Sequence, residues 1–383
     1  MSHDVSVLLY IYLPIIEDTT VVHKGCSMKT IDNMKKLALK PDSELLNLMK
    51  EDYGKIDNIW KATKAWNTTA ENLFKYFQNP DNVLNFRSAT IKTGISTANP
   101  TNFCRIPKPS GISKMLIELQ KKIPFVNKAI YAYEQIGDKY IARARKLYED
   151  SIAFRFQFIR ERTPEPILEE FMIGNPDDGV MIEGNYCSVR SLGYHWLYCD
   201  ILSHIDFSNI QSILELGSGY GGQAEIILRK HPHIRYVAMD IPPWLYIAEL
   251  YLKALFPNEV IGYRETRKID SETSLLNLMK DKRIAIVPPW KSYFLVDQFD
   301  LFWNSKSVQE MNENAKHHIS LIVKKCDHAF FHIYKVGGQK LGLILPPEYI
   351  NEIVANLGFK EVMRKECSIS YPSGSESVLY TQK

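Results

Sequence analysis

The residues best equipped for chemistry sit in one short run, ILELGSGYGG, from Ile213 to Gly222. An apolar stretch carrying Glu215 leads into Gly217, Gly219, Gly221 and Gly222, and YVAMD follows further on, ending at Asp240. Glycines at this spacing let backbone approach a ligand closely, and a strand that turns into a helix aims the helix N-terminus at that ligand. The implied chemistry is the holding of a nucleotide-like cofactor. The glycines do not choose which one, because Gly217, Gly219 and Gly222 satisfy G-x-G-x-x-G while Gly217, Gly219 and Gly221 satisfy G-x-G-x-G. Two carboxylates narrow the choice. Glu215, in a strand buried on both faces, costs several kcal/mol unless it is paired or reaches the ligand site, which suits the sulfonium and ammonium of S-adenosylmethionine better than a pyrophosphate. Asp240, at the carboxyl end of the next strand, can take both ribose hydroxyls of either cofactor. The expected cofactor surface is therefore Glu215, Gly217, Ser218, Gly219, Tyr220, Gly221, Asp240 and Ile241, with S-adenosylmethionine preferred to NAD.

These residues need a frame. QSILELG, IRYVAMD, RIAIVPP, DLFWN and HAFFHIYKV read as strands, with helices from Gly221 to His231 and along PPWLYIAELYLKALF. The alternation predicts an α/β fold, a doubly wound, mostly parallel, seven-stranded sheet of Rossmann-like type with helices on both faces. LGFKEVMRKECSI and SESVLYTQK read as two successive strands with no helix between them, which predicts a reversed strand at the sheet edge. Ligands of such a sheet lie beyond the carboxyl ends of its strands, and the candidates for chemistry are sought there.

Methyl transfer from a sulfonium to oxygen is an in-line displacement that needs a positioned hydroxyl and a general base. Glu310 leads as the base, with a competing role in the S-x-x-E capping box from Ser307 to Glu310. Asn304, at the tip of the fourth strand, would orient substrate or the sulfonium end, or else satisfy its own turn. His332 lies in the fifth strand, which points toward the site, and a structural role competes there too. Tyr186 and Arg190 precede or open an aromatic helix beginning near Ser188; both could cover the methionine end, with Arg190 pairing to its carboxylate. Trp244 and Trp290 could stack on adenine or a sugar, or simply pack. His317, His318 and Asp297 have weaker claims as bases.

The 383 residues predict two domains, a mainly helical one over 1–164 and a cofactor domain over 165–383, with the boundary near Pro164. A stripe of Ile59, Ala62, Trp66, Ala70, Leu73 and Phe77 marks one packed helix. TANPTNFCRIPKPSG reads as an irregular connection or lid, and the basic segment from Arg143 to Arg162 as a solvated helix face or a contact to an anion. With 47 basic against 44 acidic residues the net charge is +3, which disfavours a nucleic-acid partner. The six cysteines form no metal-ligand spacing and read as reduced core residues. Val5 to Ile16 is apolar but too short to span a bilayer and lacks the flanks of a secretory signal, so the expected compartment is the cytoplasm.

ILELGSGYGGQAEIIL, YVAMDIPPWLYIAELYL and DLFWNSKSVQEM together resemble a bacterial family of sugar O-methyltransferases, class I enzymes that include deoxysugar-modifying members of antibiotic pathways. IGNP, from Ile173 to Pro176, fits the family's approach to its cofactor domain, and N-x-x-S-x-Q-E-M, from Asn304 to Met311, narrows the resemblance to this group. It covers about residues 165 to 383. It implies methyl transfer from S-adenosylmethionine to a hydroxyl of a sugar or nucleotide sugar, in surface-polysaccharide or glycoside biosynthesis. No nucleic acid and no stable membrane insertion are expected, and homo-oligomerisation is left open. The chain departs from the pattern at IVPPW, where no acidic residue awaits the adenine amino group, and at Val308. The D-D and D-G-D-H arrangements of metal-dependent sugar methyltransferases are absent, so no metal is expected. The rival readings are an NAD-dependent sugar-nucleotide oxidoreductase or epimerase and a non-catalytic scaffold in glycan assembly.

Overall fold

The computed structural model describes residues 39–88, 146, 149–163, 165–176, 178–311, 314–335, 345–367 and 375–382. Val5 to Ile16 and the proline-rich stretch 97–111 lie outside the described residues. The strand that leads into the glycines, β3 (Ser212–Leu216), is buried along its whole length. So is β6 (Ile284–Val287), and β4 (Arg235–Met239) is buried from Tyr236 on. Continuous apolar runs of this kind are what a sheet covered on both faces requires. β7 (Phe299–Ser305) and β8 (Cys326–Tyr334) supply the aromatic residues that suit a half- or fully buried pleated surface.

With β5 (Val260–Ile261), β9 (Phe359–Cys367) and β10 (Ser375–Gln382), the sheet has eight strands in the order β5-β6-β4-β3-β7-β8-β10-β9. It is parallel from β5 to β8. The strand beyond the seven expected is the two-residue β5, too short to announce itself in sequence. The reversed strand is also not at the edge: β10 is inserted between β8 and β9, antiparallel to both. Composition explains the swap. β10 contributes the fully buried Ser377, Val378 and Leu379. β9 instead carries Lys360, Glu361, Arg364, Lys365 and Glu366, the kind of charged strand that blunts an open edge.

Alternate residues of each strand feed opposite layers. Ile213, Tyr236, Leu301, Trp303 and Phe330 pack with α4 (Val189–Ile201), α5 (Gly222–Lys230) and α6 (Pro242–Leu255). Leu214, Val237, Phe302 and Phe331 pack with α9 (Asn314–Ile322) and α10 (Pro347–Asn356). The earlier helices α1 (Ser43–Lys55), α2 (Lys64–Tyr76) and α3 (Pro80–Leu84) join the first of these layers through Leu45, Met49, Leu73, Phe77 and Val83. Two ion pairs clamp α1 to α7 (Tyr263–Thr266) and the residue after it, Arg264 to Asp42 at 2.7 Å and Arg267 to Asp52 at 2.7 Å.

The predicted stripe needs one correction. Ala70, Leu73 and Phe77 are buried, but the helix begins only at Lys64, and Ile59 sits in a separate turn, Asn58–Trp60, 37% exposed. Of the basic segment, residues 149–160 are helical. Arg160 pairs with Glu183, and the Arg162 guanidinium lies 3.1 Å from the centre of the Phe158 ring.

Candidate active site

The turn after β3 is built by left-handed glycines: φ is +84° at Gly217, +56° at Gly219 and +90° at Gly221, the N-cap of α5. A Cβ at Gly217 would lie 2.0 Å from Ser307 Oγ, so a side chain is excluded there twice over, by φ and by contact. A Cβ at Gly219 would meet nothing within 4 Å, which marks the open side of the turn. Four of the turn's amides bond within the protein. Gly217 and Ser218 donate to Met239 O at 2.7 and 3.1 Å, Gly221 donates to Ser218 O at 2.9 Å, and Gly219 donates to Asp240 Oδ2 at 2.8 Å.

Asp240 is thereby fixed at the carboxyl edge of β4. Its Oδ1 accepts from its own neighbour's amide, Ile241 N, at 2.7 Å. An ionised carboxylate offers about four acceptor positions, so two remain for a ligand's hydroxyls. Burial pushes its carboxyl up to about 7, against the two amide bonds, which lower it.

Glu215 is 2% exposed and accepts from the Tyr236 hydroxyl at 2.9 Å. Burial pushes its carboxyl up to about 8. A carboxyl with a partner inside the protein does not by itself select a cationic ligand, so the weight placed on Glu215 in the sequence has to move elsewhere. Asn304, fully buried, donates through Nδ2 to Leu216 O at 2.7 Å and to Ser307 Oγ at 2.6 Å, and its Oδ1 accepts from Val308 N at 3.4 Å. Ser307 Oγ lies 3.0 Å from the same Leu216 carbonyl. Together they pin the turn after β7 beneath Gly217.

With its hydroxyl engaged there, Ser307 does not form the expected capping box. Val308–Met311 is a tight 3-10 turn, and α9 begins at Asn314. Glu310 is thus released from the cap and stands near Lys306, Asp240 and Trp66, whose side chain hydrogen-bonds to it. Burial pushes the Glu310 carboxyl up to about 7; the Asp240 charge adds to the rise, while Lys306 and Trp66 oppose it. The Trp66 ring meets Trp244 edge-on at 5.4 Å, so α2 and α6 both border this part of the site.

On the other side of the turn, Tyr220 is buried with its ring 5.1 Å from Tyr251, 5.5 Å from Phe86 and 5.4 Å from the Arg87 guanidinium. Arg87 pairs with the buried Glu170, which also accepts from Ser188 N at 2.8 Å and Ser188 Oγ at 3.0 Å. Arg190 lies among Tyr194, Tyr220 and Asp178, which hold its guanidinium charged against the cost of burial. Around this turn Ser218 Oγ and both amide atoms of Gln223 are buried without a hydrogen-bond partner among the described residues. Buried polar atoms usually find a partner, so these three are candidates for contact with a bound group; Thr63 Oγ1, Trp303 Nε1 and His318 Nδ1 are left in the same way. Sequence reasoning missed Gln223; its one signal was a lone amide in the apolar stretch GQAEIIL.

The remaining candidates have protein partners of their own. The Tyr186 hydroxyl donates to Pro176 O at 3.0 Å and accepts from Gly179 N at 2.8 Å, closing the loop that leads into the hairpin of β1 (Val180–Ile182) and β2 (Asn185–Cys187). His332, 2% exposed, sits 3.3 Å through Nδ1 from Ser377 Oγ, which donates to Asp200 Oδ2 at 2.6 Å. Burial lowers His332 to about 3. Asp297 caps α8 (Leu275–Met279), taking Ser274 Oγ at 2.6 Å and Leu275 N at 2.5 Å. His318 lies 4.6 Å from the Trp60 ring, and burial lowers it to about 4.

Residues 190–263 match an O-methyltransferase domain. The match begins at Arg190 and takes in the glycine turn, Gln223 and Asp240. Such a domain is that of an S-adenosylmethionine-dependent O-methyltransferase, which bears out the expected enzyme class and cofactor. Among curated proteins none matches the chain.

Solved structures that resemble it include the pyocyanin biosynthetic protein PhzM, 14% identical over 50% of this chain and 59% of that one, with a TM-score of 0.33. The mitomycin 7-O-methyltransferase MmcR is 12% identical over 51% and 57%, at 0.33. Magnesium protoporphyrin IX methyltransferase from Synechocystis, with bound S-adenosylhomocysteine, is 12% identical over 63% and 99%, at 0.38. The chain thus spans less than two thirds of the length of the first two, and likenesses this distant carry no argument about substrate.

Proposed function

We propose that this protein transfers a methyl group from S-adenosylmethionine to a hydroxyl of a sugar or nucleotide sugar, in the cytoplasm, within polysaccharide or glycoside biosynthesis. The observation that carries the reading is the pairing of two carboxyls on one edge of the sheet. Asp240 keeps acceptor positions for a ribose, and Glu310, near neutrality, is poised for a proton. The sugar itself rests on the resemblance at Asn304 to Met311. Among the described residues no helix is long and apolar enough to cross a membrane.

The cofactor supplies an electrophilic methyl group. Asp240 would hold its ribose, Ser218, Gln223 and Arg190 its amino-acid end, and the open side of Gly219 would admit its backbone-facing edge. Asn304 keeps the floor of the turn in place. Glu310 then accepts the acceptor's hydroxyl proton, because a base works best when its pKa lies near the working pH. His332, neutral and held near 3, is a far weaker base and positions β8 against β10. Four turn amides are already bonded inside the protein, which supports the sulfonium cofactor against a dinucleotide, whose pyrophosphate would need such donors.

Calorimetry on the purified chain tests the reading. S-adenosylmethionine and S-adenosylhomocysteine should bind and NAD should not, and Asp240→Ala should weaken the first two by ~1 to 3 kcal/mol. Binding of NAD alone would overturn the assignment. Transfer of labelled methyl to a panel of free and nucleotide-linked sugars then identifies the acceptor.

A further inference from the structure

The chain leaves β7 through a strained residue. Lys306, directly after Ser305, sits in the left-handed region at a φ of +67°. Glycine or asparagine takes that conformation at less cost, so a lysine held there points to a use for its side chain. Its backbone is fixed: the amide donates to His332 O at 2.7 Å, one step past the Ser305–His332 pair that ends the β7–β8 ladder. Its side chain reaches the last residue of β8, where the ammonium lies 4.8 Å from the centre of the Tyr334 ring.

The residues that follow hold this contact in place. Ser307 is pinned beneath the glycine turn. Gln309, fully buried, clamps the Tyr334 backbone: its Oε1 accepts from Tyr334 N at 2.6 Å and its Nε2 donates to Tyr334 O at 3.1 Å. Glu310 comes next in the chain. The Lys306 charge acts on its carboxyl, and that carboxyl acts in turn on the Tyr334 phenol, so ammonium, ring and carboxyl share one corner at the ends of β7 and β8.

The groups that act on or with Glu310 come from four elements: Asp240 after β4, Trp66 on α2, Lys306 after β7 and Tyr334 at the end of β8. Asp240 opposes a second negative charge, and Trp66 offers a neutral N–H. Tyr334, its phenol pushed up to about 12 by burial, carries no charge in the working range, and His332, which the Lys306 charge also reaches, is neutral. Lys306 brings the positive charge. We propose that Lys306 is a positioning residue of the methyl transfer: its ammonium, seated on the Tyr334 ring, keeps the Glu310 carboxylate ionised and in place to take the acceptor's proton. This role rests on Glu310 as the base, proposed above, and names the group that keeps it competent.

Two substitutions separate the charge from the turn. Lys306→Asn tolerates the same backbone and removes the cation, whereas Lys306→Arg keeps a cation there. In the full chain without ligands, NMR of glutamate labelled with carbon-13 at the side-chain carboxyl follows Glu310, whose signal is the one lost in Glu310→Gln. Its titration midpoint should rise by about one unit in Lys306→Asn and return to the parent value in Lys306→Arg. The acid limb of kcat should move with it, giving about tenfold less turnover near about pH 6 and parental turnover above about pH 9. Lys306→Asn should bind S-adenosylhomocysteine as the parent does and melt no lower. Lys306 is overturned if midpoint and limb stay put in Lys306→Asn, or if they move as far in Lys306→Arg. That failure would leave the base intact, because Glu310→Gln would still lose turnover. Normal turnover in Glu310→Gln would instead sink the base, and the part of Lys306 in the reaction with it.

Discussion

Glu310 shows how a residue's chemistry depends on what its neighbours have already spent. Ser307 gives its hydroxyl to Leu216, the cap does not form, and the glutamate is left between Asp240, Lys306 and Trp66 with its carboxyl near 7. As a base it works only when ionised, so turnover should rise with pH through about 7. Glu310→Gln should lose about 10²- to 10⁴-fold in kcat with cofactor affinity unchanged, and its residual activity should be flat across that range. Normal turnover in this variant would remove Glu310 from the chemistry.

Glu215 makes a prediction of the opposite kind, on stability. Its folded value, about 8, lies above the usual 4.5, so the folded state binds the proton more tightly than the unfolded chain. Its contribution is therefore full below about 4.5 and is lost as pH rises through about 8. Glu215→Gln, which removes the titration, should melt at a higher temperature than the parent at pH 9 and at nearly the same temperature at pH 4. A gap that stays constant with pH would mean that Glu215 does not titrate in this window.

Among elements, the glycine turn distinguishes two uses of the same residue type. Gly217→Ala forces a Cβ into Ser307 at a φ of +84° and should cost about 1 kcal/mol or more in denaturant unfolding. Gly219→Ala meets no protein atom, so beyond its backbone strain its main effect should be on S-adenosylhomocysteine binding. Equal losses of stability with unchanged binding in both would deny the turn a ligand. The sequence marked both glycines alike; which one faces protein and which faces open space depends on Ser307, distant in sequence and delivered by β7.

For the whole molecule, the first core layer runs without a break from Leu39 to Leu379, taking in α1–α3, α4–α6 and one face of the sheet. Arg87 crosses it, pairing with Glu170, bonding Phe171 O at 3.0 Å and lying over Tyr220 of the glycine turn. Calorimetry should therefore show the described residues on both sides of Pro164 melting in one cooperative transition. Arg87→Ala, which strands a buried carboxylate, should lower it as a whole by about 3–5 kcal/mol. Two resolved transitions would instead support the split near residue 164.

Hydrophobic period and the glycine turn were enough for the sequence to determine the parallel α/β frame, every strand of it except the two-residue β5, and the place of Asp240, because these depend on neighbours a few residues apart. Tertiary structure alone decided the rest. It put β10 inside the sheet because β9 is the strand whose charges can stand at an edge, and it satisfied Glu215 with Tyr236. It also freed Glu310 by engaging Ser307, and left Ser218 Oγ and the Gln223 amide without a partner among the described residues beside the turn. Each of these depends on which groups from distant parts of the chain meet, and a buried polar atom's role is set by the partner it finds or lacks.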